Sequence, residues 1–202
     1  MKKGIIKTFT FMFSAIFLAK VLGLVRNIVF ANFYGTGFEA TAFFTASRIP
    51  LQLLDMTLGA AISSTFIPIF NEYLQKDGKK RAIQFANNFL NVIIVVSLLL
   101  TILGIIFAPQ IVSIIAPDLE SQTLELTVQL IKILFPIMIF TAVAYVSVGF
   151  LQSMDDFRIP SIISVVANGI LILYLAIFNN KFGIKGVAIA MLVGWATQIL
   201  VQ

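Results

Sequence analysis

Cysteine and histidine are both absent from the 202 residues. Without cysteine there is no disulfide framework and no thiolate metal site. Without histidine the chain lacks the usual general base and the commonest metal ligand. No glycine-rich nucleotide-binding pattern occurs, and no other catalytic constellation stands out. The residues therefore point away from an enzyme and call for no cofactor or metal. Charge is scarce too. Asp, Glu, Lys and Arg make up 11% of the chain, against roughly 25% in soluble domains.

What fills the sequence is apolar. Hydrophobic residues make up 59%, twenty of them phenylalanine, and mean hydropathy is +1.02. A chain of this size cannot hide that much apolar surface from water. An all-α, polytopic membrane helix bundle is the fold class this implies, because only helices and closed barrels satisfy the backbone in lipid. The N-terminus, Met1 to Lys7 followed by an apolar run, superficially resembles a signal peptide. The run is long, shows no small-residue cleavage site and is followed by further spans, so it reads as a retained first helix.

About six runs reach the roughly 20 apolar residues that a spanning helix needs. Span 1 covers residues 8–33, and the turn Tyr34-Gly35-Thr36-Gly37 follows. Span 2 covers 40–73, too long for a straight crossing, with Pro50 and Pro68 expected to bend it. The polar segment 71–81 reads as a loop with a short amphipathic lead-in. Span 3 covers 85–107, and residues 108–122 read as an interfacial re-entry and loop. Span 4 covers 123–152 with Pro136 near its middle; SMDDFR at 153–158 connects it to span 5, residues 160–178. After a connection at 179–185, span 6 begins near Gly186 and is cut short at Gln202. Residues 1–202 thus read as one transmembrane domain.

Orientation follows from lysine and arginine in the short loops. The tail carries Lys2, Lys3 and Lys7. The segment after span 2 carries Lys76, Lys79, Lys80 and Arg81, and the one after span 4 carries Arg158. The intervening loops after spans 1 and 3 carry none. The N-terminus is therefore expected in the cytoplasm. Lys181 and Lys185 fall outside, against the rule. In such a protein the net charge of +5 sets topology rather than binding nucleic acid.

The polar residues within the spans carry the functional argument. Ionised groups at membrane depth are costly, and they usually face a cavity or a partner. Residues seven apart lie about 20° from one azimuth and residues four apart about 40°. Lys20 and Asn27 thus share a face of span 1 with Gly23 between them, while Arg26 sits well round from Lys20. On span 2, Thr41, Thr45, Arg48, Gln52, Asp55 and Gly59 form a stripe opposite Phe43, Phe44, Leu51, Leu54 and Leu58. On span 4, Glu125, Gln129, Lys132 and Pro136 form another. Structural roles stand beside functional ones: Arg48 and Asp55 each pairing with another helix, Arg26 snorkelling to an interface, Lys132 pairing with Glu125, and Gly59-Ala60-Ala61 serving close helix packing. The basic segment after span 2 also fits contact with anionic membrane lipid. Yet the deep charge is mostly positive, from Lys20, Arg26, Arg48 and Lys132 against Asp55 and Glu125. A surplus of cation asks for a counter-charge from a ligand, and arginine grips phosphate with two parallel bonds. The expected substrate-binding set is Lys20, Arg26, Asn27, Arg48, Gln52, Asp55 and Lys132, with Asp55 orienting Arg48 in the empty site.

The blocks KVLGLVRNIVFANFYGTG, ATAFFTASRIP and GAAISSTFIPIFNEY, with FPIMIF, LQSMDDFRIPSI and GIKGVAIAMLVGWATQILVQ after them, resemble the MurJ/MviN lipid II flippase family of the MOP exporter superfamily. The resemblance covers nearly the whole chain. It implies the N-terminal lobe of a two-lobe flippase in the bacterial cytoplasmic membrane. That flippase moves the undecaprenyl-pyrophosphate-linked peptidoglycan precursor outward by alternating access, for the cell wall and cell shape. It also implies a second lobe absent from this chain. Carried over by position, Arg26 matches the arginine of the VLGxxR block, Lys20 a commonly basic position, and Arg48 a basic position before the IP pair. The chain departs at Thr41, where many members are acidic, and at Leu54 and Asp55, where an arginine is frequent. The alternatives are a polysaccharide-lipid flippase of the same superfamily and a truncated, non-transporting membrane scaffold. A drug antiporter fits poorly, because it wants acid where this chain has base.

Overall fold

The computed structural model describes residues 2–59, 62–154 and 158–201, and among them it is all helix and turn. Helix α1, Lys2–Tyr34, begins earlier than expected, and its stretch Thr10–Tyr34 is long and apolar enough to cross a membrane. It stops at Gly35, whose φ of +54° favours a residue without a Cβ. Helix α2, Phe38–Leu54, starts with Glu39 in its first turn, where the helix dipole favours an acid.

Span 2 departs from the proline reading. Pro50 sits buried inside α2, which continues past it to Leu54. The irregularity comes afterwards, as wide π-type turns at Asp55–Gly59 and Ile62–Phe66. Pro68 lies in the first turn of helix α3, Ile67–Lys76, where a missing amide costs least. The atoms nearest to a Cβ on Gly59 are those of Asp55 and Leu54 in its own helix; Ala60 and Ala61 lie outside the described residues.

The polar segment 71–81 is not a loop. Helix α3 runs to Lys76 and helix α4, Lys79–Ile106, begins three residues later. Lys76 donates to Glu72 one turn back at 2.8 Å, which supports a solvated helix end. Gly78, at φ +82°, reverses the chain within the remaining two residues.

Helix α5, Ala108–Ile115, is a short helix at the place where a re-entry was expected after span 3. Helices α6, Ser121–Leu134, and α7, Ile137–Ser153, form one span bent by 43°. Pro136 explains the bend: it has no amide for the carbonyl one turn back, and its ring crowds that turn. Residues 155–157 of the expected SMDDFR connection lie outside the described residues. Helix α8 is Arg158–Ile177, and helix α9, Asn179–Val201, breaks at Gly183 (φ 56°, ψ −153°). The last straight segment therefore starts where the sequence placed it.

Among the described residues, four helical stretches are long and apolar enough to cross a membrane, and the bent α6–α7 pair makes five. The remaining expected span, span 5, corresponds to α8, whose apolar stretch Ile162–Ile177 is shorter. The whole of α8 still rises about 30 Å, close to the hydrocarbon thickness.

Helix α1 packs along α8, α8 along α9, α2 along α6, and α4 against α7. Phe66 and Phe70 stand 5.6 Å apart, and both are buried. Phe66 reaches Phe89 of α4 at 5.1 Å, while Phe70 meets Phe150 of α7 at 5.3 Å. These rings pin α3 to its neighbours near one end of the bundle. At the other end Phe30 packs on Phe43 at 5.3 Å. The core thus fixes span 2 from both ends, at Phe43 in α2 and at Phe66 and Phe70 after it, while a cavity opens between α1, α8 and α9.

Candidate functional site

A cavity of about 870 Å³ lies between α1, α8 and α9, with Leu51 of α2 and Gln152 of α7 at its margin. Its α1 wall carries Lys20, Gly23, Arg26 and Asn27. Its α8 wall carries Ser164 and Asn168, and its α9 wall carries Trp195 and Gln198. Among the described residues no carboxylate lines it.

Arg26 organises the polar part. Its Nε and Nη2 donate to Asn27 Oδ1 at 3.2 and 2.9 Å, and its Nη1 donates to Asn168 Oδ1 at 3.0 Å. Asn168 is buried, and its Nδ2 donates to the Ala19 carbonyl at 3.1 Å. That second bond fixes the amide so that its oxygen faces Arg26. The guanidinium is half-buried, yet its described partners are neutral amides. It keeps its full charge and has one N–H free on each terminal nitrogen, from one donor on Nε and two on each Nη. Two parallel donors match a carboxylate or phosphate edge.

Three of the expected site residues, Lys20, Arg26 and Asn27, come together in this cavity. Lys20 and Asn27 do so by helical spacing. Arg26 does so because its long side chain turns back to Asn27 and Asn168 instead of following its azimuth outward. Lys20 has no hydrogen-bond or ion-pair partner among the described residues.

The α2 residues stand apart. Arg48, Gln52 and Asp55 lie on the exposed side of α2, opposite buried Phe43, Ala46, Ile49 and Leu54, and none of them lines the cavity. Phe44, expected on the apolar back, is 42% exposed. Arg48 is one turn before Leu51, so its stripe adjoins the cavity margin. Arg48 and Asp55 form no ion pair. Seven residues of helix rise about 10 Å, too far for direct contact. Asp55 instead accepts from Tyr145 Oη of α7 at 3.1 Å. Lys132 is exposed on α6, away from the cavity, and unpaired with Glu125, which accepts from Gln129 Nε2 at 3.3 Å.

Asn168, Gln152, Gln198 and Tyr145 were not among the residues singled out from sequence. The signal for Asn168 was its place as an amide in the middle of an otherwise apolar run, IISVVANGILIL.

A helical membrane bundle with a cationic cavity between its first, fifth and sixth spans, lined by no carboxylate among the described residues, fits the class of polytopic membrane carriers. Residues 30–202 match the family described as lipid II flippase MurJ. The chain belongs to the MurJ lipid II flippase family. It is 32% identical over 192 residues to the "Probable lipid II flippase MurJ" of Buchnera aphidicola subsp. Baizongia pistaciae, covering 92% of this chain and 37% of that protein. To the "Lipid II flippase MurJ" of Burkholderia cenocepacia it is 28% identical over 190 residues, with the same shares covered. A solved lipid II flippase MurJ in an inward closed conformation superposes with a TM-score of 0.81 at 25% identity, over 94% of this chain and 40% of that one. A MOP superfamily transporter from Pyrococcus furiosus shares the fold, with a TM-score of 0.74 at 17% identity over 96% of this chain and 43% of that one. The chain thus spans well under half the length of these relatives.

Proposed function

We propose that this chain is the N-terminal lobe of a lipid II flippase of the bacterial cytoplasmic membrane, with its N-terminus in the cytoplasm. Working with a second lobe, it carries the undecaprenyl-pyrophosphate-linked precursor outward by alternating access. One observation carries the reading: Arg26 is held by two neutral amides in a cavity that no carboxylate lines among the described residues, and its charge is left for a ligand. A structural cation at this depth would be expected beside an acid. A cation held by amide oxygens is ready for an anion that arrives and leaves.

In this mechanism the lipid enters laterally from the inner leaflet. Its pyrophosphate meets the free N–H groups of Arg26, with Lys20 as a second point charge. The sugar occupies the polar remainder of the cavity beside Asn27, Ser164 and Gln198, while the polyprenyl tail stays in the bilayer. Arg48 takes the headgroup at the cavity margin as the two lobes rock, as in other two-lobe carriers. The residues need perform no covalent step.

Binding of an undecaprenyl-pyrophosphate-linked disaccharide to the purified chain tests this. Arg26→Ala is expected to weaken binding tenfold or more, about 1.4 kcal/mol, and Lys20→Ala less. Unchanged affinity in Arg26→Ala rejects the reading. In cells depleted of their own flippase, rescue is expected when a second lobe is co-expressed.

A further inference from the structure

The α8–α9 hairpin has a second side. On the side facing α1 it closes the Arg26 cavity with Asn168 and Gln198. On the other it opens a groove of about 570 Å³ whose walls include Leu173, Phe178, Ile189 and Val193. All four are exposed, from 46% for Val193 to 60% for Leu173. The floor is built rather than incidental. Tyr174 crosses from α8 over Gly186, where any Cβ would strike its ring and hydroxyl. The same hydroxyl donates to the Gly183 carbonyl at 3.1 Å, which holds the ring down.

Among the described residues the groove has one charged lining residue, Lys185, at the end where α8 stops and α9 starts. Lys181 lies at the same end, its ammonium 5.4 Å from the centre of the Phe182 ring. Lys185 also borders a small polar pocket containing Glu39 and Glu125, but it pairs with neither. These two lysines are the ones that break the charge rule used for topology. Helix ends of this kind sit at the membrane surface, where a basic group between helices attracts anionic headgroups. The apolar face of α4 also exposes Val92, Val95 and Leu99, but none of them lines this groove.

We propose that this groove holds one acyl chain of an anionic phospholipid, whose headgroup phosphate is bound by Lys181 and Lys185. The site is separate from the Arg26 cavity and does not depend on the transport reading. It gives the two lysines a counter-charge at the surface where lysine is otherwise disfavoured. It also fills the groove with chain rather than leaving its walls half-contacted.

The test is native mass spectrometry of the purified chain in detergent, titrated with phosphatidylglycerol and with phosphatidylcholine of identical chains. One phosphatidylglycerol is expected to bind at least fivefold tighter than phosphatidylcholine, the scale of one lysine near a charged surface. Lys181→Gln with Lys185→Gln is expected to bring the two lipids level. Ile189→Trp, which fills the groove, is expected to remove the tight site for both. Equal binding of both lipids to the unaltered chain overturns the proposal, as does a preference that survives the double lysine variant. Undecaprenyl phosphate displacing phosphatidylglycerol at equal concentration also overturns it, by making the occupant a polyprenyl chain. If Ile189→Trp lacks the helical circular dichroism of the parent, the lysine variant decides alone.

Discussion

Arg26 and Asn168 stand 142 positions apart in sequence, yet Nη1 of the first donates to Oδ1 of the second at 3.0 Å. The amide is itself anchored to the Ala19 carbonyl, so α1 and α8 are locked around a charge that neither neutralises. Neutrality of the partner is the feature that leaves the charge for a ligand. Asn168→Asp puts a carboxylate beside Arg26 and removes the amide donor to the Ala19 carbonyl. It is expected to weaken binding of the pyrophosphate lipid tenfold or more, about 1.4 kcal/mol, while the new ion pair offsets the lost hydrogen bond and the melting temperature in detergent changes little. Asn168→Ala should act the other way round, lowering melting more than affinity. Wild-type affinity in Asn168→Asp would mean that Arg26's free charge is not what the lipid meets.

Arg48 and Lys132 are both exposed cations on apolar helices, but they differ in place. Arg48 lies one turn from Leu51 at the cavity margin, whereas Lys132 lies on α6 away from it. In a two-lobe context, Arg48→Ala is expected to abolish lipid export while membrane insertion stays intact. Lys132→Ala is expected to retain export. An export assay in vesicles, with protein level checked by immunoblot, separates them. Equal export by both variants would take Arg48 out of the path.

Much of the frame was legible in the chain. Apolar run length gave the helices, whereas the proline bends were expected at Pro50 and Pro68 and the bend that forms is at Pro136, which the sequence marks only as lying mid-span. The shared face of Lys20, Gly23 and Asn27 follows from helical arithmetic, and all three line the cavity. Asn168 was not legible, because nothing local to an asparagine in an apolar run says which helix it will meet. The π-type turns after Leu54 were hidden for a different reason. Widening a turn by one residue leaves no mark in composition. At 71–81 the polar residues read as a loop, but charges one turn apart also make a solvated helix end, as Glu72 and Lys76 do. Asp55 was assigned to Arg48 on azimuth alone. The rise between them was the deciding quantity, and Tyr145 was nearer.

Orientation is testable at the turn between α3 and α4. Gly78 itself is a poor site for a label, since its φ of +82° disfavours any side chain. Lys79, the first residue of α4, is exposed and helical. A single cysteine at Lys79 is expected to react with an impermeant maleimide only after the membrane is opened. One at Thr36, in the turn after α1, is expected to react in intact cells. Reaction at 79 from outside would invert the arrangement, and would place Lys181 and Lys185 in the cytoplasm.

The bend between α6 and α7 is held by α4. Thr101 donates to the Phe135 carbonyl at 3.4 Å, and the Phe135 ring, fully buried, lies where a Cβ on Gly104 would be. Gly104→Ala therefore sets two effects against each other. Alanine favours a helix interior over glycine by about 1 kcal/mol. Forcing a methyl into a filled contact costs about 1–3 kcal/mol. Because Phe135 is held at its backbone by Thr101 and enclosed at its ring, the second effect should win, and the melting temperature in detergent should fall. The cost resides in one contact, so Phe135→Leu should be less harmful beside Gly104→Ala than alone, a non-additivity that separates a clash from general damage. If Gly104→Ala melts with the parent, the ring has room to move, and Pro136 alone sets the bend.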